Sequence, residues 1–327
     1  MNILVAVYSQ AAVWNIPDAH VQRLRHEFPR HFFLHARSEA DVAPLIERAD
    51  AAFASELRGP HFDAAPNLRW VHSPAAGVGG MLTPEVIDSS IVLTNSRAMS
   101  GDTIAEHVLA LTLALFRKFP LVYRSQMERR WAQEDATGLP SPRTIAGSHV
   151  VVVGLGGIGA ASARRFAALG ATVTAVRRRP DQPKPEGVSR VWGPDRLLAA
   201  LPEADVVILA APQTRSTRVL IGADQLRVMK NDAILINVSR GKLVDESALV
   251  EALERGAIGG AGLDVFEHEP LDAASPLWGL PTVIVTPHMA GFRADHWDAA
   301  TDIFAENLRR FESGQELVNV VDKQAGY

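Results

Sequence analysis

The stretch VVVGLGGIG at 151–159 constrains this chain more than any other part of it, because an apolar run that passes through closely spaced glycines into a helix-like segment has few ways to fold. Consecutive valines read as a buried strand, and Gly154-Leu155-Gly156-Gly157-Ile158-Gly159 as the turn that leaves it. The first glycine permits the tight turn, the second lets backbone approach a pyrophosphate, and the third allows close packing of helix on strand. A helical segment, ASARRFAALG, and a second apolar strand, ATVTAV, follow at the spacing of a βαβ unit. A dinucleotide pyrophosphate would sit at that helix's N-terminus, where unpaired N–H groups and the helix dipole favour an anion. An acidic residue ending the second strand would accept from a ribose 2′-OH, whereas an arginine there accommodates a 2′-phosphate. This chain has Arg177, Arg178 and Arg179. The expected cofactor is NADP(H) by preference, with NAD(H) also admissible; a Gly-rich turn without ligand, or one holding S-adenosylmethionine, is the competing reading.

Composition narrows the rest. The 327 residues allow two domains, and 47% hydrophobic with 21% charged residues is ordinary for a globular α/β protein. Charged residues interrupt the apolar runs before they reach bilayer length, so no membrane is expected. A net charge of −4 argues against nucleic acid as a partner. The absence of cysteine excludes disulfides, thiolate zinc sites and cysteine nucleophiles. The opening MNILVAVYSQ lacks a basic segment and reads as a first strand, not a signal peptide, which gives a cytoplasmic expectation.

Because the fingerprint strand begins near residue 149, an independent unit must precede it. Strand-like runs NILVAVY, FFLHA, AAFAS, LRWVHS and IVLTNS, alternating with turns and helical spacing, predict a parallel sheet wound with helices. The segment GDTIAEHVLALTLALFRKFPLVYRSQMERRWAQ predicts a long connecting helix up to Pro120, with an apolar excess that suits burial against a second subunit or within the chain itself. Beyond the fingerprint, ADVVILAAP, AILINVS, GAGLDVF and TVIVTP alternate with helical segments, as in a doubly wound sheet of six or seven strands. The amphipathic tail ADHWDAATDIFAENLRRFESG predicts a last helix returning to the first unit.

In open α/β sheets, ligands bind beyond the carboxyl ends of the strands. Polar residues just after predicted strands are Arg240, Asp264, Glu269 and His288. A guanidinium fork fits a carboxylate, so Arg240 suits anchoring a 2-oxo or 2-hydroxy acid. The imidazole of His288 suits proton transfer at the reacting oxygen, and a carboxylate such as Glu269 would orient it and favour its charged form. Taken singly, each has a plainer reading as a cap, a core histidine or a solvated charge.

Together INVSRGKLVDESALVEAL, GAGLDVFEHEP and TPHMAG, behind VVVGLGGIG, closely resemble the D-isomer-specific 2-hydroxyacid dehydrogenase family over residues 68–290. The resemblance implies a Rossmann cofactor domain (99–288) inserted in a flavodoxin-like substrate domain (1–98 and 289–327), both doubly wound, and a homodimer. It makes Arg240 the substrate-binding arginine, His288 the acid/base and Glu269 its partner, with Glu267 a rival at a variable position. It gives Asp264 the nicotinamide carboxamide, passes Val238, Ser239 and Ala290 along the nicotinamide, and places Ala211, Pro212 and Thr217 of AAPQTRST beneath the adenosine. Thr103 becomes a cofactor neighbour, and the backbone of Ala76, Gly77 and Val78 in SPAAGVGG a substrate-carboxylate contact. Arg177, where an Asp is common, resembles the NADP-preferring glyoxylate and hydroxypyruvate reductases, which implies a small 2-oxo or 2-hydroxy acid as substrate. Gly79-Gly80, in place of an acidic residue, leaves the particular acid open. A dinucleotide-sensing corepressor with little turnover is the alternative on the same fold; such a sensor has no need of a complete Arg, Glu and His set.

Overall fold

Valine, isoleucine and alanine runs too short for helices and apolar on both faces become strands of two all-parallel sheets. The computed structural model describes residues 1–97 and 99–326, which fall into two compact units, Met1–Met99 with Arg293–Tyr327, and Ser100–Phe292.

In the first unit, β1 (Asn2–Ala6), β2 (Phe32–His35), β3 (Ala51–Ala54), β4 (Trp70–Ser73) and β5 (Val92–Asn95) pair in the order β2-β1-β3-β4-β5. That is the flavodoxin-like order, and all five strands coincide with the apolar runs read from the sequence. Both faces are covered. On one, Leu4, Ala52 and Val71 meet Val42, Ile46 and Met81. On the other, the tail helix His296–Glu312 lays Ala300, Phe304 and Leu308 against Ile3, Phe53 and Trp70, with the Phe304 ring stacked 4.5 Å from Phe53 and 5.2 Å from Trp70.

The second unit carries β6 (His149–Val153), β7 (Thr172–Val176), β8 (Arg190–Trp192), β9 (Val206–Leu209), β10 (Ile234–Asn237), β11 (Gly260–Leu263) and β12 (Val283–Val285), in the order β12-β11-β10-β9-β6-β7-β8. The chain reverses direction across the sheet between β6 and β9, the switch point at which doubly wound folds bind nucleotides. β8 was not among the strands read from the sequence, because three residues flanked by Ser189 and Gly193 show no period.

The connecting helix, Gly101–Phe116, ends short of Pro120 as expected, and a second helix, Phe119–Met127, follows where Lys118 turns left-handed at φ 56°; Pro120 sits in its first turn, where its missing N–H costs nothing. The apolar stripe of the first, Val108, Leu111 and Phe116, is buried in its own chain against β6, β9 and β10. The segment 289–292, expected in the first unit, lies in the second, because Asp264 accepts the N–H groups of Met289 and Ala290 at 2.9 Å each.

Candidate active site

The glycine turn after β6 has the shape that its sequence requires. Gly154 has φ +95°, and a Cβ there would lie 2.5 Å from the Ala211 nitrogen, so the first glycine lets this turn meet the chain leaving β9. A Cβ at Gly159 would stand 2.0 Å from the Gly154 carbonyl, which fixes the third glycine. Around Gly156, no protein atom comes within 4 Å of where a Cβ would be, leaving open space beside the N-terminus of the helix Gly157–Ala168. Leu155 and Ile158 turn inward onto the core. This open, anion-favouring helix end is the cradle a dinucleotide pyrophosphate needs. Gly101 packs tightly against it, its Cβ direction 3.2 Å from the Gly157 carbonyl, which brings the first turn of the preceding helix, with Thr103, to the same place.

Beyond β9, Thr217 closes the AAPQTRST loop on itself: its hydroxyl donates to the Pro212 carbonyl at 2.7 Å and accepts from the Thr214 N–H at 2.7 Å. Thr217 therefore shapes the loop, while Pro212 is exposed on it. Arg177 directly follows β7. The Arg177 guanidinium donates to the carbonyls of Pro180 (3.4 Å), Gln182 and Pro183 (3.2 Å), so it staples the 180–183 turn; Arg178 and Arg179 are exposed.

The loops after β10, β11 and β12 assemble the ionisable groups. Asn237 ends β10, accepts the Ser239 N–H at 3.2 Å and donates to the Arg240 carbonyl at 3.1 Å, which folds Val238, Ser239 and Arg240 into a fixed bend. A Cβ on Gly241 would fall 1.8 Å from the Phe266 carbonyl carbon, so only glycine lets this bend touch the loop that carries Glu269. The two meet at a cleft of about 190 Å³ lined by Gln213, Arg240, Lys242, Glu267, Glu269 and His288. His288 Nδ1 lies 2.6 Å from Glu269 Oε2, and since a carboxylate only accepts, the ring proton is on Nδ1. Burial acts to raise the Glu269 pKa, yet hydrogen bonds from the His288 ring and the Phe266 N–H, with the charges of His288 and Arg240, hold it below the ordinary carboxylate value. Glu267, the rival, lines the same cleft, but the partner of the imidazole is Glu269. Burial lowers the pKa of the Arg240 guanidinium, opposed by the charge of Glu269.

Asp264, 2% exposed, accepts Thr286 Oγ1 at 2.6 Å and the Met289 N–H on Oδ1, and the Ala290 N–H on Oδ2. Three donors leave acceptor capacity for one more, such as a carboxamide N–H. The residues therefore fit a nicotinamide dinucleotide at both ends, pyrophosphate and carboxamide.

In the first unit, the loop 75–78 follows β4. Asn95 donates to the Ala76 carbonyl at 2.6 Å and Ser96 N–H to that of Ala75 at 3.2 Å, while no acceptor is found among the described residues for the N–H groups of Ala76, Gly77 and Val78. Such a run of unpaired amides is an anion-receptive turn.

The family model for the D-isomer specific 2-hydroxyacid dehydrogenase NAD binding domain matches residues 109–290. The chain belongs to the D-isomer specific 2-hydroxyacid dehydrogenase family. Within it, a glyoxylate reductase from Korarchaeum cryptofilum is 37% identical over 265 residues, 80% of this chain and 79% of that protein. A D-isomer specific 2-hydroxyacid dehydrogenase from Xanthobacter autotrophicus, solved in complex with NADPH and MES, is 33% identical with a TM-score of 0.84, covering 99% of both chains. An NADPH-dependent glyoxylate/hydroxypyruvate reductase from Sinorhizobium meliloti, solved with NADP and sulfate, is 28% identical with a TM-score of 0.84, covering 100% of this chain and 99% of that one. The protein is thus an oxidoreductase of this 2-hydroxyacid dehydrogenase family, with a nicotinamide-dinucleotide-binding domain. Sequence reasoning passed over Asn237, whose position at a strand end before a bend was the available signal, and over Thr286, which directly follows β12 and donates to Asp264.

Proposed function

We propose that this dehydrogenase is an NADPH-preferring reductase of small 2-oxo acids, glyoxylate and hydroxypyruvate among them. The observation that carries the reading is the convergence of a largely buried guanidinium, Arg240, and a carboxylate-backed imidazole, His288 with Glu269, on one cleft. Arg240 anchors the substrate carboxylate by a two-pronged hydrogen bond. With Nδ1–H committed to Glu269, His288 holds the transferable proton on Nε2 and delivers it to the carbonyl oxygen, which becomes the hydroxyl. NADPH, when bound, supplies the hydride that reduces C2. Asp264 receives the carboxamide, Val238, Ser239 and Ala290 form the wall beside the ring, and Thr103 and the glycine turn hold the phosphates. Names of relatives support glyoxylate as substrate and NADP as coenzyme.

A panel of 2-oxo acids assayed with NADPH and NADH tests this reading; no NADPH-dependent reduction of any member would overturn it. The same assay tests the arginines. The 2′-phosphate is assigned to Arg178 and Arg179, which are exposed just beyond the end of β7. An R178A/R179A double variant is expected to raise the KM for NADPH by about 10- to 100-fold, the loss of one or two charge-assisted hydrogen bonds, and to leave NADH almost unchanged. R177A should instead lower thermal stability and affect both coenzymes alike. An unchanged coenzyme ratio in the double variant would sink the assignment.

The homodimer reading falls on the later part of the connecting segment and the residues just after it. Leu113, Phe119, Val122, Tyr123, Met127, Trp131 and Leu139 are large apolar side chains exposed within residues 113–139, with Trp131 at 89% and Leu139 at 93%. Such a concentration marks an association surface. Sedimentation velocity is expected to give a dimer, and a monomer at micromolar concentration would refute it.

A further inference from the structure

His288 has φ +51°, a left-handed conformation that a non-glycine residue adopts only where its surroundings impose it. The surroundings here centre on Asp264. Its carbonyl accepts the His288 N–H at 2.9 Å, and its carboxylate accepts the next two N–H groups, those of Met289 and Ala290, and the Thr286 hydroxyl. The turn that presents the imidazole is therefore wrapped around one buried carboxylate. Behind it stands His107, on the helix Gly101–Phe116, with Nε2 3.0 Å from Thr286 Oγ1 and 3.8 Å from Asp264 Oδ1. The hydroxyl has one proton, and the carboxylate at 2.6 Å can only accept it. Thr286 Oγ1 must then accept from His107 Nε2–H, which fixes the ring tautomer and the direction of the chain, imidazole to hydroxyl to carboxylate. Burial lowers the His107 pKa, with Asp264 opposing, in keeping with a neutral ring in that tautomer.

We infer that His107 and Thr286 are positioning residues, a relay that locks the Asp264 carboxylate in the orientation that holds the left-handed turn and aims His288. The inference rests on the reading of His288 as proton donor. Its effect falls on the transition state, since a misaimed imidazole slows proton delivery while Arg240 still binds the substrate; misplacement by about 1 Å costs up to about 100-fold.

The experiment combines kinetics with hydrogen exchange on the substrate-free protein, so that the turn is read whether or not the chain reduces 2-oxo acids. T286V and H107L are expected to lower kcat with glyoxylate by about 5- to 50-fold, with KM for the acid within about threefold. They should also accelerate amide exchange across residues 288–290 at least about tenfold. T286S keeps the hydroxyl and H107Q keeps an N–H donor, so both should return kcat and exchange close to wild type. Wild-type exchange in T286V or H107L, failure of both conservative variants to restore it, or a rise in KM with kcat intact would each overturn the relay. If exchange follows this pattern but even the wild-type protein reduces no 2-oxo acid, the proposed function fails and the relay stands.

Discussion

A His288→Asn variant is expected to lose about two to four orders of magnitude in kcat for NADPH-dependent glyoxylate reduction, the contribution of a positioned general acid. Asparagine keeps a donor toward Glu269 but carries no proton that it can release near neutral pH. The size of the effect depends on the pair, not on the ring alone, because His288 Nδ1 is held 2.6 Å from Glu269 Oε2. Glu269 has its pKa lowered in the folded protein despite its burial, which by itself would raise it. Its charge is therefore present across the neutral range and is lost only as pH falls through that lowered value, below the pH at which an unperturbed glutamate would protonate. Glu269→Gln loses the charged acceptor that holds the ring at Nδ1 and should lower kcat by about 10- to 100-fold at neutral pH, the cost of a misplaced imidazole. Steady-state rates near neutral pH measure both effects. An H288N rate within tenfold of wild type, or an E269Q rate equal to it, would remove the acid/base role.

The strands and the ends of strands were legible because a parallel sheet buried on both faces writes itself as continuous apolar runs, and because the residue after such a run must lie at the ligand edge. Gly154, Gly159 and Gly241 were legible for a steric reason, as each stands where a Cβ would overlap backbone from another loop. What the sequence concealed depends on side-chain direction. Arg177 occupies the position that selects the coenzyme in the motif, but its guanidinium folds back onto carbonyls five and six residues ahead, at Gln182 and Pro183. Nothing in the spacing of three arginines distinguishes a staple from a ligand contact. His107 was hidden in the same way: it sits on a helix whose apolar neighbours read as core, and its partner Thr286 lies 179 residues away. β8 was missed because an edge strand of three residues buries too little to impose a pattern.

An Arg240→Ala variant should lose about 10²- to 10⁴-fold in kcat/KM for any 2-oxo acid, because two charge-assisted hydrogen bonds of about 1.5 to 3 kcal/mol each disappear together. The backbone of this residue is fixed by Asn237 and its neighbour Gly241 packs on the Glu269 loop, so the truncation removes a side chain from a site that otherwise keeps its shape. Burial lowers the Arg240 pKa, but a guanidinium starts so high that it stays charged at any physiological pH. One arm is already oriented, Nη1 donating to the Ser239 carbonyl at 2.6 Å, which sets the plane of the fork before substrate arrives. Arg240→Lys retains the charge and loses the fork, and should recover only about tenfold of the deficit. Added guanidinium ion should partly rescue the alanine variant and not the lysine variant, whose ammonium fills the space. The Kd for NADPH, read by nicotinamide fluorescence, separates anchor from coenzyme contact: it should stay within about threefold of wild type in both variants, and a rise matching the loss in kcat/KM would assign Arg240 to the coenzyme instead.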